Sequence, residues 1–231
     1  PNIVTKVMYL SPAWEAFTGG PDSGLTLCPD ATTCILPCLG RNSGRQAMDE
    51  SFNARLWKTT LFLGWRKAFT RLMRLEVEKM IRRCRKASQG TSQKLTFSLR
   101  WNGSSDVPAA SRRLASQYPE AVFYDYTKNA RAALKNGAGL DPVNYFLSYS
   151  FDGTPAGIKK ARRVLKAGGR VSAVFNLLPG ITSADGSYRR PPEKLPARFL
   201  GFPVNTDGDE HDYIPADKPG VRGLRFKAAV D

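Results

Sequence analysis

A single histidine, His211, stands in 231 residues. That scarcity leaves few side chains able to act as a general base near neutral pH, and no G-x-S-x-G nucleophile elbow is present. A serine or cysteine hydrolase therefore finds little support. No P-loop occurs, and no G-x-G-x-x-G follows a strand-like run, so triphosphatase and dinucleotide-binding readings drop out as well. Cysteine is sparse too, with four in the chain, and a chain of this length buries a sizeable core without covalent staples. The longest apolar runs fall short of the roughly 18 residues that span a bilayer. Pro1 to Tyr9 lacks the basic-then-apolar pattern of a secretory signal. The expectation is a reduced, cytoplasmic compartment and no membrane partner.

Three of the few cysteines stand together. Cys28, Cys34 and Cys38 lie in C-x5-C-x3-C spacing within a segment rich in Pro, Thr and Gly, from Gly20 to Gly40. Cysteine acting as a small apolar residue does not need such clustering. Soft thiolates presented from an irregular loop select zinc, copper(I) or iron–sulfur clusters. Three of them hold three corners of a [4Fe–4S] cluster and leave the fourth iron open. The spacing is neither the C-x2-C pair of a zinc ribbon nor the C-x2-C-x2-C of ferredoxins. A disulfide and accidental clustering are the competing readings.

Positive charge is in excess: 35 Lys and Arg against 20 Asp and Glu, a formal net charge of +15. Residues 41–90 carry thirteen cations and four acids, so this stretch alone holds +9. Arg74, Arg82, Arg83, Arg85 and Lys86 belong to it. A second run is Lys159, Lys160, Arg162 and Arg163. Each run alone reads as a solvated helix face; together with the overall balance they favour a polyanion such as nucleic acid. By contrast, Gly201 to Asp217 holds five acids and no Lys or Arg.

Periodicity divides the chain into three parts of one α/β domain spanning 1–231: a strand and Cys loop (1–42), basic helices (43–90) and strand–helix repeats (91–231). In the second part Phe52, Leu56, Thr60 and Leu63 form one apolar stripe. Trp65, Phe69, Leu72, Met73, Val77, Met80, Ile81 and Cys84 form another, which makes Cys84 a buried thiol. On this reading Trp57, Trp65 and Tyr118 hold core-like positions and offer no stacking surface. In the third part, strand candidates begin at Leu95, Ala121, Tyr145, Val171, Phe202 and Gly220. Helix candidates at Pro108–Gln117, Asn129–Lys135 and Gly157–Lys166 separate several of them.

Strand, loop and helix in alternation predict a parallel sheet with crossover helices, a partial (β/α) barrel-like arrangement. Each strand candidate runs into polar residues: Asn102 and Asp106, Asp125 and Lys128, Ser150 and Asp152, Asn176, Asp207 and Asp209. Function gathers at that carboxyl edge in α/β barrels. Asn102, Asp106, Asp125, Lys128, Asp207 and Asp209 are accordingly the candidates for orienting a cofactor or substrate. Leu178 to Pro196 reads as an exposed excursion.

The chain resembles the phage gene product 88 family, found in phages and in bacterial genomes that carry them. The resemblance rests on Met8-Tyr-Leu-Ser11 leading to the three cysteines and Gly44-Arg45, then on Leu99-Arg-Trp-Asn-Gly-Ser-Ser-Asp106 and Phe123-Tyr-Asp-Tyr-Thr-Lys128. It continues through Asn144-Tyr-Phe-Leu-Ser-Tyr-Ser150, Gly169-Arg-Val-Ser-Ala-Val-Phe175, Phe202-Pro-Val-Asn-Thr-Asp-Gly-Asp-Glu-His-Asp212 and Gly220-Val-Arg-Gly-Leu-Arg-Phe-Lys227. It implies a viral protein working in the host cytoplasm during infection. The layout also looks like a minimal radical S-adenosylmethionine enzyme, with an early strand, a three-cysteine loop and a partial barrel. That likeness implies a [4Fe–4S] cluster with S-adenosylmethionine on its open iron. The usual spacing there is C-x3-C-x2-C, and Asn102 to Asp106 occupies the place where such enzymes hold the methionine amino group.

Two other classes stay open. One is a non-catalytic iron–sulfur or zinc protein that binds nucleic acid or a host protein. Zinc would want a fourth ligand, and Cys84 or His211 are the candidates for it. The other is a magnesium-dependent enzyme using Asp207, Asp209, Glu210 and Asp212, since clustered carboxylates suit hard cations.

Overall fold

The computed structural model describes residues 2–12, 26–35, 38, 46, 48–175 and 194–226. Asn176, Arg41, Gly44, Arg45, Lys227 and most of the Leu178 to Pro196 excursion lie outside the described residues. Among the described residues there are eight strands and five α-helices, and strand and helix alternate between residues 95 and 175 as the repeats predict. In chain order they are β1 (Asn2–Val7), α1 (Asp49–Gly64), α2 (Arg66–Ala87), β2 (Leu95–Arg100), α3 (Pro108–Ala115), β3 (Val122–Thr127) and α4 (Ala130–Gly137). There follow β4 (Tyr145–Ser150), α5 (Pro155–Lys166), β5 (Arg170–Phe175), β6 (Arg198–Phe199), β7 (Phe202–Asp207) and β8 (Gly220–Arg225). The strand order is β1-β2-β3-β4-β5-β8-β7-β6. Among the described pairings only β6 with β7 is antiparallel; the rest are parallel.

The chain forms two compact units, Pro1–Asp125 with Asp141–Phe146, and Tyr126–Leu140 with Leu147–Asp231. In the first, β1 pairs β2 in continuous register from Asn2 with Leu95 to Val7 with Arg100. In β2 the consecutive residues Phe97, Ser98 and Leu99 are all buried. Burial of successive residues means that both faces are covered, the signature of a parallel strand flanked by helices. The second unit repeats this in β5, where Val171, Ser172 and Ala173 are buried in sequence. Its polar interior residue is satisfied, since Ser172 shares a 2.7 Å hydrogen bond with Ser148 of β4.

Helix ends follow local chemistry. Thr154 caps α5 by accepting from the Gly157 amide at 2.9 Å, with Pro155 at the first helical position. Gly168, at φ 77°, ends that helix in the left-handed region glycine favours. Asn129 caps α4 through the Ala132 amide at 2.8 Å. Between α1 and α2 the helix breaks at Trp65 (φ −129°, ψ 54°), and α2 resumes at Arg66.

Two expectations about these helices need correction. The buried face of α1 carries Arg55, Thr59 and Phe62, one residue out of step with the expected stripe of Phe52, Leu56, Thr60 and Leu63. Arg55 tolerates burial because its guanidinium donates to the Gln46 carbonyl at 2.7 Å and to the Gln46 side chain at 2.9 Å. Thr59 is satisfied likewise, accepting from the Ser11 amide at 2.8 Å. On α2 the core face is Phe69, Met73, Val77, Met80, Ile81 and Cys84, without Trp65 and Leu72. Trp57 and Trp65 are 69% and 59% exposed, so neither is a core residue.

Candidate functional site

Three separate stretches of the first unit meet at the carboxyl ends of β1 and β2. Beyond the last strand pair, the Met8 amide donates to the Arg100 carbonyl at 2.8 Å, and the Gly103 amide donates to the Met8 carbonyl at 2.9 Å. Gly103 is needed for that approach, because a Cβ there would stand 2.6 Å from the Tyr9 ring and 2.8 Å from a Val7 methyl. The Ser104 hydroxyl donates to the Leu10 carbonyl at 2.6 Å. The Asp106 amide then reaches the Leu27 carbonyl at 2.7 Å, tying the start of the Cys loop to the loop after β2.

Cys28 follows at once. Its thiol donates toward the Ser104 carbonyl, with sulfur and oxygen 3.8 Å apart. The loop continues in two turns, closed by Ala31 amide to Cys28 carbonyl (3.0 Å) and Ile35 amide to Thr32 carbonyl (3.2 Å). Cys28, Cys34 and Cys38 are partly exposed and all three thiols are free. Among the described residues, no three His, Cys, Asp or Glu side chains come together as a metal-holding group.

Cys84 is excluded from this centre by position. It is buried on the core face of α2, where burial raises its thiol pKa. Its carbonyl accepts from Ser88, whose hydroxyl oxygen in turn accepts from the Leu95 amide at the opposite end of β2. At about 3.3 Å per strand residue, β2 puts Cys84 on the order of 15 Å from Cys28.

Under the cysteine loop lies a buried polar knot. The Asn102 amide oxygen accepts from Ser105 (3.0 Å) and from the Val107 amide (2.8 Å), holding the turn that opens α3. The Asn102 backbone amide donates to Asp125 at 2.6 Å. Asp125 is fully buried at the end of β3, and the Tyr145 hydroxyl stands 3.5 Å from its other oxygen. Burial pushes the Asp125 carboxyl from 3.8 up to about 7, against the opposing pull of the Asn102 amide and of Arg100. Burial also holds the Tyr145 hydroxyl well above its ordinary value, with the Asp125 charge adding to it. Asp106 is buried in the same loop. Of the six candidates at the strand ends, the fold joins Asn102 to Asp125 by a hydrogen bond and ties Asp106 to Leu27, the neighbour of Cys28.

The raised carboxyl has a signed consequence. Between about pH 4 and pH 7 the unfolded chain has lost this proton and the folded chain retains it, so stability falls as pH rises through that window. Asp125→Asn keeps the acceptor for Asn102 and removes the ionisation. Urea unfolding is expected to show the wild type losing stability over this window, on the order of a few kcal/mol at most, and the variant losing markedly less. Equal slopes in both proteins would contradict the assignment.

The other three candidates belong to the second unit, and each has a structural partner. Lys128 donates to the Phe151 carbonyl at 3.2 Å. Arg225 of β8 binds both oxygens of Asp207 (2.9 and 2.8 Å) and one oxygen of Asp209 (3.1 Å), while its amide takes Asp209 at 2.9 Å. One guanidinium bridges the two carboxylates, and among the described residues no three His, Cys, Asp or Glu side chains gather as the hard-cation site that the acid loop suggests. Asp212 accepts from Tyr126 at 2.8 Å, and His211 stands 3.6 Å from Asp217. Asp217 is buried and pairs with buried Arg222, which also donates to the Gly208 carbonyl at 3.1 Å. Arg222 and Arg225 were not among the candidates. Their signal was the Arg-x-x-Arg of the last strand, directly after an acid loop with no cation of its own.

The cations of α2 and α5 are on the outside. Arg74, Arg82, Arg83, Arg85 and Lys86 are exposed, as are Lys159, Lys160, Arg162 and Arg163. Arg82 stands 3.9 Å from Glu78, and Arg74 donates to Gln117 at 3.0 Å. The other seven pair with no carboxylate among the described residues.

In comparison with known proteins, the family model described as gene product 88 matches residues 4–230. No curated protein and no solved structure matches the chain. No helix among the described residues is long and apolar enough to cross a membrane.

Proposed function

Since the chain belongs to the gene product 88 family over residues 4–230, we propose that this family member is an iron–sulfur protein directed at nucleic acid. In this reading Cys28, Cys34 and Cys38 hold a [4Fe–4S] cluster, and the exposed cations of α2 hold the phosphate backbone. The observation that carries it is the seat of Cys28 against Ser104, in the loop after β2 that also holds Asn102 and Asp106 at the carboxyl ends of parallel strands. The donor chemistry fits: three reduced thiols on one short loop, partly exposed, with no disulfide. Among the described residues the three thiols do not form one group, so the loop would have to bring them together around the cluster.

Loaded there, such a cluster supplies one-electron chemistry to a ligand on its open iron, S-adenosylmethionine in the radical-enzyme form of this reading. The chain's own part is position. The 102–106 loop presents the Ser104 carbonyl and the polar groups of Asn102 and Asp106 beside the cysteines, and Asp125 fixes that loop from below through the Asn102 amide. The partial-barrel layout belongs to the same reading. Host cytoplasm during infection is where it would act.

Iron and sulfide analysis with EPR, on protein kept from air, tests the cluster. About four irons and four sulfides per chain are expected. Iron-free protein with one zinc per chain would replace the reading by a zinc module. Release of 5′-deoxyadenosine from S-adenosylmethionine under reduction separates enzyme from structural cluster. The second reading, a non-catalytic nucleic-acid-binding protein, is favoured by the unpaired cations of α2 and α5.

Those cations give a quantitative expectation. Replacing Arg82, Arg83, Arg85 and Lys86 with alanine is expected to weaken binding to single-stranded DNA. It should also flatten the dependence of log K on log salt by up to about 3, near 0.7 per lost phosphate contact. An unchanged slope would remove α2 from the interface.

A further inference from the structure

Exposed tryptophan is unusual, because the indole is among the largest apolar side chains and is mostly buried. Among the described residues the first unit carries two such residues, Trp57 on α1 and Trp65 at the break before α2. By helical spacing, the neighbours of Trp57 are Asn53, Ala54, Thr60 and Leu61. Trp65 heads the outward stripe of α2, opposite the core face. Ala68, Leu72 and Leu75 continue that stripe, and Lys79, Arg82, Arg83 and Lys86 complete it. The next residue, Arg66, is held with its guanidinium 3.9 Å over the Phe62 ring and its Nε donating to the Phe62 carbonyl at 3.0 Å.

We propose that Trp57 and Trp65 are stacking platforms for the unpaired bases of single-stranded nucleic acid, with the α2 cations following its phosphates. This rests on the nucleic-acid reading above and narrows it. Aromatic faces set beside a basic track are what sequence-tolerant binding of single strands requires, since every base offers a π-face. A duplex keeps its bases stacked on one another and would use the cations alone. The charge of residues 41–90, +9, is complementary to a polyanion.

The test is fluorescence anisotropy of a labelled oligothymidylate and of a duplex of the same length, over a range of salt. Trp57→Ala and Trp65→Ala are each expected to weaken oligothymidylate binding roughly tenfold. The salt slope and the duplex affinity should stay where they were, and Trp→Phe should restore most of the loss. Both rings are exposed, so circular dichroism should confirm an unchanged fold. Wild-type affinity in both alanine variants would overturn the inference while leaving the nucleic-acid reading standing if the Arg82/Arg83/Arg85/Lys86 variant still flattens the slope. Equal losses on single strand and duplex would overturn it also. So would tryptophan-dependent binding to vesicles of equal parts phosphatidylcholine and phosphatidylglycerol with none to oligothymidylate. Failure of the wild type to bind either nucleic acid would end both readings.

Discussion

Cys28→Ala, Cys34→Ala and Cys38→Ala are each expected to yield colourless protein without bound iron, whereas Cys84→Ala should keep the full iron content. A three-thiolate cluster has no spare protein ligand, so losing any corner leaves two, too few to retain it. Cys84 cannot step in, for its place on α2 lies most of the length of β2 away from Cys28. Its own loss should appear elsewhere, as a modest drop in unfolding free energy from a small cavity on the α2 core face. Iron analysis and urea unfolding on the four variants make the comparison. Iron retained at wild-type level in all three loop variants would end the cluster reading. Iron lost in all four would move the fourth ligand to Cys84.

Asp217→Ala should be the most damaging single change in the second unit. Asp217 and Arg222 are both buried, and among the described residues the terminal nitrogens of Arg222 have only the Gly208 carbonyl as a further acceptor. Removing the carboxylate leaves a guanidinium in the interior without its counter-charge, which is expected to cost about 3–5 kcal/mol. For a chain of this size that is a fall of roughly 10 °C in melting temperature. Replacing both partners, as in Asp217→Leu with Arg222→Met, removes the stranded charge and should recover much of the loss. A double variant no better than Asp217→Ala would show that the pair contributes through geometry rather than charge. Calorimetry on the three proteins distinguishes the outcomes.

The α/β frame was legible in the residues because parallel strands covered on both faces read as short apolar runs. Phe97-Ser-Leu99 and Val171-Ser-Ala173 do so, and the second is preceded by α5 with its Thr154 cap and Gly168 stop. The first helix was misread for a physical reason. Arg55 and Thr59 sit on its buried face because partners distant in sequence, Gln46 and Ser11, satisfy their polar atoms. Periodicity counts apolar residues and cannot see such partners. The same limit applies at the strand ends. Asn102 and Asp125 were recognisable singly, but their direct bond spans 23 positions of chain. Asp207 and Asp209 looked like free carboxylates until Arg225, 18 and 16 positions on, was seen to bind them. Trp57 and Trp65 were read as core by position, but Trp57 lies on the face of α1 away from Arg55, Thr59 and Phe62, and Trp65 stands exposed at the break before α2.

The last described strand, β8, lies between β5 and β7 rather than at a margin. During synthesis, β5 and β7 therefore leave the ribosome with open hydrogen-bonding rims and no shared neighbour until the residues from Gly220 to Arg225 emerge. Closure of the second unit has to wait for that strand. A chain cut short before Gly220 would thus be not a slightly trimmed protein but one with two sticky margins, prone to aggregation.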